Sequence, residues 1–347
     1  MSAITSHKIA YADEKTIHYL SCGPPTGPLI LFLHGWPGSA ITWSTQLTTF
    51  GSLGFHAIAP DMPGFGQSTA RRVIEDYTQE ALVGAMIALL EHTERKAAIW
   101  VGHDWGAGVA SSIATQHPGA VKALINICVP YRSIELGWAG FLPFVNRTVY
   151  PVDEYEFGQW DYMKAFEDDF EKHVAGFEND PDGFCIAAMQ PSPRPKESRI
   201  DPIMSAIRKT GWAFPPASML GPPILPPDVF AAFVEDMKRS GFWSGCAYYL
   251  NHARNAAYNG SKDGKLSQPV LFIHATWDVV CDTITMESRL CEAMRGACGN
   301  LTEVRIEGGH FLHYERASEV HAAIVRFVLA EVPGQWPGFG DSGYTKL

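Results

Sequence analysis

The chain has 347 residues, of which 46% are hydrophobic and 18% are charged, and its formal net charge at pH 7 is −10. This length suits one large domain with an insertion, and the negative charge argues against nucleic acid or an anionic membrane as a partner. No segment approaches the ~20 consecutive apolar residues of a membrane helix, and the first residues lack the apolar core of a signal peptide. The seven cysteines contain no Cys-x-x-Cys pair, which predicts free thiols in a reducing compartment and no zinc site.

The first part of the chain alternates short apolar runs with helical patterns. Residues 8–11 and 16–22 are predicted to form a β-hairpin, and residues 29–33 form an apolar run typical of a strand covered on both faces. Further strands are predicted at 55–59, 97–101 and 123–129, with a helix at 78–92. This alternation indicates a mostly parallel sheet with helices on both faces.

The apolar run at 29–33 ends in the loop HGWPG, residues 34–38. A loop of this kind after an early strand aims a backbone N–H at a neighbouring reactive group, and here Trp36 supplies that N–H. An ordinary Gly-Pro turn is the alternative interpretation.

The strand at 97–101 leads into the pentapeptide GHDWG, residues 102–106. A small residue two positions before and two positions after a reactive side chain is the pattern of a nucleophile elbow, where larger side chains would clash. The reactive residue is Asp104 rather than serine. With an ordinary pKa of about 3.9 it is already an anion, and it suits attack on a saturated carbon to give an ester. The N–H groups of Trp105 and Trp36 form a predicted oxyanion hole. The alternative interpretation of the pentapeptide is a glycine-rich turn with a capping aspartate.

The pattern of strands stops after residue 129. From Pro130 to about Ser267 the chain is rich in Pro, Trp, Phe and Tyr, with amphipathic helices predicted at 162–177 and 229–240. Because the sheet pattern resumes afterwards, this stretch is predicted to be an inserted helical lid. The predicted organisation is an α/β core of residues 1–134 and 266–347, with the lid formed by residues 135–265.

Two late strands are each followed by a polar side chain. Asp278 follows the strand at 269–274, and His310 follows the strand at 301–306, before a closing helix at 317–331. The order Asp104, Asp278, His310 matches the nucleophile, acid and base of the α/β-hydrolase fold. The alternatives are Asp282, a helical turn beyond its strand, and His313, predicted to begin the closing helix. His34 and His103 are predicted to have structural roles in their loops.

The chain resembles the soluble epoxide hydrolases of the α/β-hydrolase fold over nearly its whole length. The loop at 34–37 looks like their oxyanion loop, which implies a cis Trp36–Pro37 peptide, and GHDWG looks like their nucleophile motif. Family members carry two lid tyrosines that hold the epoxide oxygen, and the segments 158–162 and 240–251 resemble their surroundings. The resemblance therefore implies Tyr162 and Tyr249 for this pair. Core packing is the alternative for either one, and the neighbouring candidates are Tyr150, Tyr155 and Tyr248.

The resemblance also implies a reaction. Asp104 opens an epoxide while the two tyrosines donate to its oxygen. His310, oriented by Asp278, then activates water to hydrolyse the ester to a vicinal diol. No metal or organic cofactor is implied. The long aromatic lid favours a small apolar or aromatic epoxide, while the natural epoxide and its stereochemistry stay open.

Two other function classes are compatible with parts of the pattern. A haloalkane or haloacid dehalogenase uses the same Asp-His-Asp set, and Trp105 stands where such enzymes place a halide-binding tryptophan. The paired tyrosines and Trp36, in place of the asparagine of many haloalkane enzymes, argue against it. A non-catalytic binding protein is the second alternative, and the complete Asp-His-Asp set argues against that.

The sequence also gives expectations about location and assembly. The predicted compartment is the cytoplasm. The C-terminal Thr345-Lys346-Leu347 weakly resembles a peroxisomal Ser-Lys-Leu address, so the peroxisome is the alternative. A homodimer is compatible with the sequence but is not indicated by any pattern in it.

Overall fold

An eight-stranded sheet runs through the computed structural model, which describes residues 3–12, 14–192, 217–278, 281 and 289–338. In chain order the strands are β1 (Thr5–Ala12), β2 (Lys15–Cys22), β3 (Leu29–Leu33), β4 (His56–Pro60), β5 (Ala98–His103), β6 (Val121–Ile127), β7 (Leu266–Ala275) and β8 (Cys298–Ile306). Across the sheet their order is β1-β2-β4-β3-β5-β6-β7-β8. β2 is antiparallel to both of its neighbours and the other pairs are parallel, so the predicted mostly parallel sheet is confirmed.

The central strands owe their position to their apolar side chains. Every residue of β3 and β5 is buried, and each buried aliphatic side chain stabilises the fold by about 1.5–3 kcal/mol. The register places Leu31 of β3 beside Trp100 of β5. The edge strands extend beyond the predicted runs, since β8 pairs with β7 from Cys298 onward. Backbone hydrogen bonding continues there although the side chains are not uniformly apolar.

Three helices follow the strands of the first half, α1 (Ser44–Ser52), α2 (Gln79–His92) and α3 (Trp105–Gln116). α2 matches the predicted helix at 78–92, and its first turn is capped by the Thr78 side chain, which accepts from the Ala81 N–H at 3.2 Å. α2 packs against α3, whereas α1 packs against the closing helix. Helices therefore cover the sheet in two separate groups.

The described helices between β6 and β7 are α4 (Trp138–Phe141), α5 (Asp161–Asp168), α6 (Phe170–Asn179), α7 (Pro181–Ala188), α8 (Pro227–Ser240), α9 (Trp243–Ala247) and α10 (His252–Gly260). The prediction of one helix over 162–177 is wrong, because α5 and α6 are separated at Asp169, which has φ −149° and ψ 58°. Aspartate tolerates this non-helical position before a helix. The apolar period continues across the break, since Phe166 and Phe177 are both buried. The boundaries at residues 135 and 265 stay a prediction.

The chain ends in α11 (Glu292–Ala297), α12 (Leu312–Glu315) and α13 (Ala317–Glu331), the last of which matches the predicted closing helix. Among the described helices, none has the length and hydrophobicity needed to cross a membrane. Asp282 and the C-terminal Thr345-Lys346-Leu347 lie outside the described residues. Because β3 and β5 to β8 are parallel, their carboxyl ends meet at one edge of the sheet, where the predicted site residues lie.

Candidate active site

Asp104 lies at the turn between β5 and α3. Its backbone has φ 53° and ψ −125°, a conformation that is uncommon for a residue with a side chain. The turn needs glycine on both sides. A Cβ on Gly106 would lie 2.1 Å from the carbonyl oxygen of Leu33, and one on Gly102 would lie 2.4 Å from the backbone of the following helix. The sterically restricted elbow that the sequence predicted is therefore present.

Two backbone amides face the carboxylate of Asp104. The Trp36 N–H donates to Oδ1 at 2.7 Å, and the Trp105 N–H also hydrogen-bonds to the carboxylate. The Trp36–Pro37 peptide is cis, as expected. Burial raises the pKa of Asp104, while His310 and the two amides act in the opposite direction by stabilising the anion. These two amides are placed to stabilise negative charge on an oxygen attached to the carboxyl carbon of Asp104.

His310 lies between two carboxylates. Its Nδ1–H donates to Oδ2 of Asp278 at 2.8 Å, and its Nε2 is 3.8 Å from Oδ2 of Asp104. The other oxygen of Asp278 accepts from the Cys281 N–H at 3.0 Å, which fixes the acid. Burial alone would lower the pKa of His310, but Asp278 and then Asp104 raise it to about 9. The resting site at pH 7 is therefore an imidazolium between two carboxylates.

The other histidines occupy different environments. His313 is stacked on Trp43 with ring centroids 4.3 Å apart, and burial lowers its pKa to about 3, which leaves it neutral. His34 accepts from the Met62 N–H through Nε2 at 3.0 Å. His103 donates from Nε2 to the carbonyl oxygen of His310 at 2.7 Å. His34 and His103 thus hold loops, in keeping with the structural roles expected from the sequence.

The two predicted tyrosines meet above this edge of the sheet. Tyr162 is in the first turn of α5, and Tyr249 lies in the short 3-10 helix Tyr248–Leu250. Their ring centroids are 6.0 Å apart with an edge-to-face angle of 72°. Burial raises the pKa of both hydroxyls well above the ordinary value, and the charge of Asp104 raises it further. Both hydroxyls therefore keep their protons, and both lie close enough to Asp104 for its charge to affect their pKa values.

The alternative tyrosines have other surroundings. The hydroxyl of Tyr248 donates to the carbonyl oxygen of Pro63 at 2.8 Å. Tyr150 packs against Tyr155 with ring centroids 5.5 Å apart. Of the five candidates, the structure brings Tyr162 and Tyr249 together beside Asp104.

Aromatic neighbours of Tyr249 were not anticipated from the sequence. Phe166 stacks on its ring at 4.7 Å and 20°, and Trp105 meets it edge-on at 5.1 Å and 84°. Phe166 is four residues after Tyr162, a spacing that puts both on one face of α5. That spacing was the signal that could have revealed Phe166. No local sequence pattern indicates the contact with Trp105, because it joins the elbow after β5 to a helical segment between β6 and β7.

Comparison with known proteins adds independent information. The family model described as alpha/beta hydrolase fold matches residues 28–190. An epoxide hydrolase of Caballeronia sordidicola is 30% identical over 312 residues, covering 87% of this chain and 88% of that protein. Epoxide hydrolase A of Mycobacterium tuberculosis is 28% identical over 329 residues, covering 90% and 94%. A structure of a Vigna radiata epoxide hydrolase mutant aligns with TM-score 0.75 and 26% identity, covering 94% of this chain and 98% of that one.

Proposed function

This chain belongs to the epoxide hydrolase family of the α/β-hydrolase fold, and from that premise we propose that it hydrolyses an epoxide to a vicinal diol through a covalent ester on Asp104. One observation carries the mechanism. The same carboxylate accepts from the Trp36 N–H at 2.7 Å and lies 3.8 Å from Nε2 of His310. A nucleophile, an oxyanion site and a base are thereby gathered around one carbon atom.

In the first step a carboxylate oxygen of Asp104 attacks a ring carbon and the carbon–oxygen bond of the epoxide breaks. The alcohol formed has a pKa near that of water, about 15.7, whereas a tyrosine hydroxyl has an ordinary pKa of about 10. The hydroxyls of Tyr162 and Tyr249 therefore donate to the leaving oxygen as its charge develops. Burial and the charge of Asp104 raise the pKa of both hydroxyls and keep them protonated in the resting site, and the part due to Asp104 is lost when that carboxylate becomes a neutral ester.

The proton balance connects the two steps. Ring opening consumes one proton, and the imidazolium of His310 holds one in the resting state because two carboxylates raise its pKa to about 9. Once Asp104 becomes a neutral ester, one of those two carboxylate charges is gone, so the pKa of His310 falls and its proton replaces the one that the tyrosines gave to the opened oxygen. The imidazole is then a base when the second step needs one.

In the second step water attacks the ester carbonyl while His310 takes its proton and Asp278 stabilises the imidazolium. The Trp36 and Trp105 N–H groups stabilise the oxyanion. Hydrolysis releases the diol and returns both Asp104 and protonated His310 to the resting state. The substrate we propose is a small apolar or aromatic epoxide, because aromatic rings surround the two tyrosines.

A single turnover in water enriched in heavy oxygen tests the mechanism. With enzyme in excess, the first diol should be unlabelled, because its new oxygen comes from Asp104, and mass spectrometry should find the label on that residue. Diol from later turnovers should carry the label. Labelled diol in the first turnover would show that Asp104 acts as a general base instead.

Dehalogenation is the alternative chemistry for the same carboxylates and histidine. Two tyrosine hydroxyls suit an oxygen leaving group, which favours the epoxide. A panel of epoxides and chloroalkanes, with diol and halide measured in the same samples, separates the two. Halide release without diol formation would replace the proposal.

A further inference from the structure

A second set of polar groups surrounds His310, and the proposed reaction does not use it. His103 donates from Nε2 to the carbonyl oxygen of His310 at 2.7 Å, and the Cys128 thiol donates to the same oxygen at 3.0 Å. The sulfur of Cys128 and one ring nitrogen of each histidine all lie within 4.8 Å of one another. His103 and Cys128 are both only 2% exposed. Two imidazoles and one thiol therefore converge in the protein interior.

Asp278 adds a carboxylate to this set. Its Oδ2 accepts from Nδ1 of His310 at 2.8 Å, and the carboxylate also hydrogen-bonds to the Cys128 thiol. The four side chains together offer two nitrogens, one sulfur and one oxygen. Zn²⁺ is bound in proteins by this combination of donors, and Cd²⁺ shares its preference for thiolate.

We propose that Zn²⁺ or Cd²⁺ binds to His103, Cys128 and His310, with Asp278 as the fourth ligand, and that the bound ion inhibits the enzyme. Zinc–ligand bonds of about 2.0–2.3 Å place tetrahedral ligand atoms roughly 3.5 Å apart, so the three side chains that lie within 4.8 Å of one another have to move closer by up to about 1.3 Å. The Asp278 carboxylate lies outside that group, but it hydrogen-bonds to His310 and Cys128 and has to move in with them as the fourth ligand. The ion reaches the buried cluster from the side of His310, since 19% of that side chain is exposed to solvent. This binding is independent of substrate and adds a property to the chain beyond the reaction proposed above.

Metal binding follows a definite proton balance. Cys128 releases its thiol proton and becomes a thiolate, and the imidazolium of His310 also releases one proton, so that each imidazole presents a nitrogen that carries no proton. With one nitrogen of His310 on the metal and the other protonated, the ring has no lone pair left to accept a proton from water. The inhibitory part of the inference rests on the proposed function. With the metal bound, the ester on Asp104 should form and then persist.

A second described cluster provides a matched control. His274, Cys291 and Glu303 also have ligand atoms within 4.8 Å of one another. There, however, Arg295 forms two hydrogen bonds to Glu303 at 2.8 and 2.9 Å. A dication would have to compete with that guanidinium, so this cluster is the weaker site.

The test is a titration of the folded chain with Cd²⁺, followed by the ultraviolet absorption of the cadmium–thiolate bond. The wild-type chain should bind one ion with this absorption. Cys128→Ser keeps a donor for the carbonyl oxygen of His310 but removes the sulfur, so it should lose the absorption. It should also raise the Zn²⁺ concentration needed for inhibition by more than about tenfold. Cys291→Ser should behave as the wild type in both measurements.

Several outcomes would overturn the proposal. Absorption retained in Cys128→Ser, or lost in Cys281→Ser or Cys291→Ser, would place the ion elsewhere. If Cys128→Ser does not fold, Cys128→Asn serves instead, because the φ of 73° at this position suits asparagine. Should the enzyme turn over no epoxide, the proposed function fails while the cadmium absorption still decides the metal site. Zn²⁺ inhibition without a trapped ester would refute the inhibitory mechanism alone.

Discussion

The carboxyl edge of the sheet and the helices between β6 and β7, here called the insertion, position their side chains in the site in different ways. At the sheet edge, Asp104, Asp278 and His310 follow parallel strands and are fixed by hydrogen bonds of 2.7 and 2.8 Å. In the insertion, Tyr162 and Tyr249 lie on short helices and are positioned by ring packing at 4.7 to 6.0 Å.

The difference follows from charge. A buried ion needs a partner, and breaking a buried pair by removing one member costs about 3–5 kcal/mol. A neutral hydroxyl on an aromatic ring can be held by packing, where each ring pair contributes about 0.5–1.5 kcal/mol. Substitutions at the sheet edge should therefore affect the reaction more than substitutions among the rings.

The largest effect is expected for His310→Gln. Loss of a general base lowers turnover by about 10²–10⁴-fold, whereas ester formation on Asp104 does not need a base. Intact-protein mass spectrometry should show the chain gaining the mass of one substrate. If the variant instead shows neither adduct nor turnover, His310 is needed for ring opening as well.

A smaller effect is expected from the tyrosines. Tyr162→Phe and Tyr249→Phe should each slow ring opening by about tenfold, and the double variant by about 10²–10³-fold, as for loss of a preorganised donor. Tyr248→Phe is the matched control, because the hydroxyl of Tyr248 donates to the carbonyl oxygen of Pro63. The steady-state rate of this variant should match that of the wild type. Equal rates in the double variant and either single variant would show that the hydroxyls do not share one oxygen.

The ionic cluster at the sheet edge also predicts how stability depends on pH. The pKa of His310 is raised from 6.5 to about 9, so its contribution is fully present below about pH 6.5 and is lost as the pH rises through 9. The full shift corresponds to about 3 kcal/mol. Chemical denaturation of the wild type and His310→Gln at pH 6 and pH 10 measures it. The difference in unfolding free energy between them should shrink at the higher pH, and a constant difference would contradict the assignment.

The smallest effect is expected for Phe166→Leu. The substitution removes the ring stacked on Tyr249 but keeps an apolar side chain, so stability should fall by only about 0.5–1.5 kcal/mol. Thermal unfolding and the rate of ring opening measure the two consequences. A loss of activity as large as that of Tyr249→Phe would mean that packing alone positions the hydroxyl.

The sequence alone determined the sheet, the elbow and the order of the candidate residues. Apolar runs of strand length, the paired glycines around Asp104 and polar residues at strand ends are local features, and local chemistry decides them. It could not locate the break at Asp169, because the apolar period continues through both helices. Nor could it place Phe166 beside Tyr249, since the contact depends on how an insertion packs.

Only the tertiary structure distinguished neighbours in the sequence. Tyr248 and Tyr249 are adjacent and identical in type, yet one hydroxyl donates to Pro63 while the other lies by Asp104. His310 and His313 are three residues apart, but one has a raised pKa and the other a lowered one. The direction in which a side chain points and its protonation state depend on the charges and rings around it, and residues distant in the sequence supply those charges and rings.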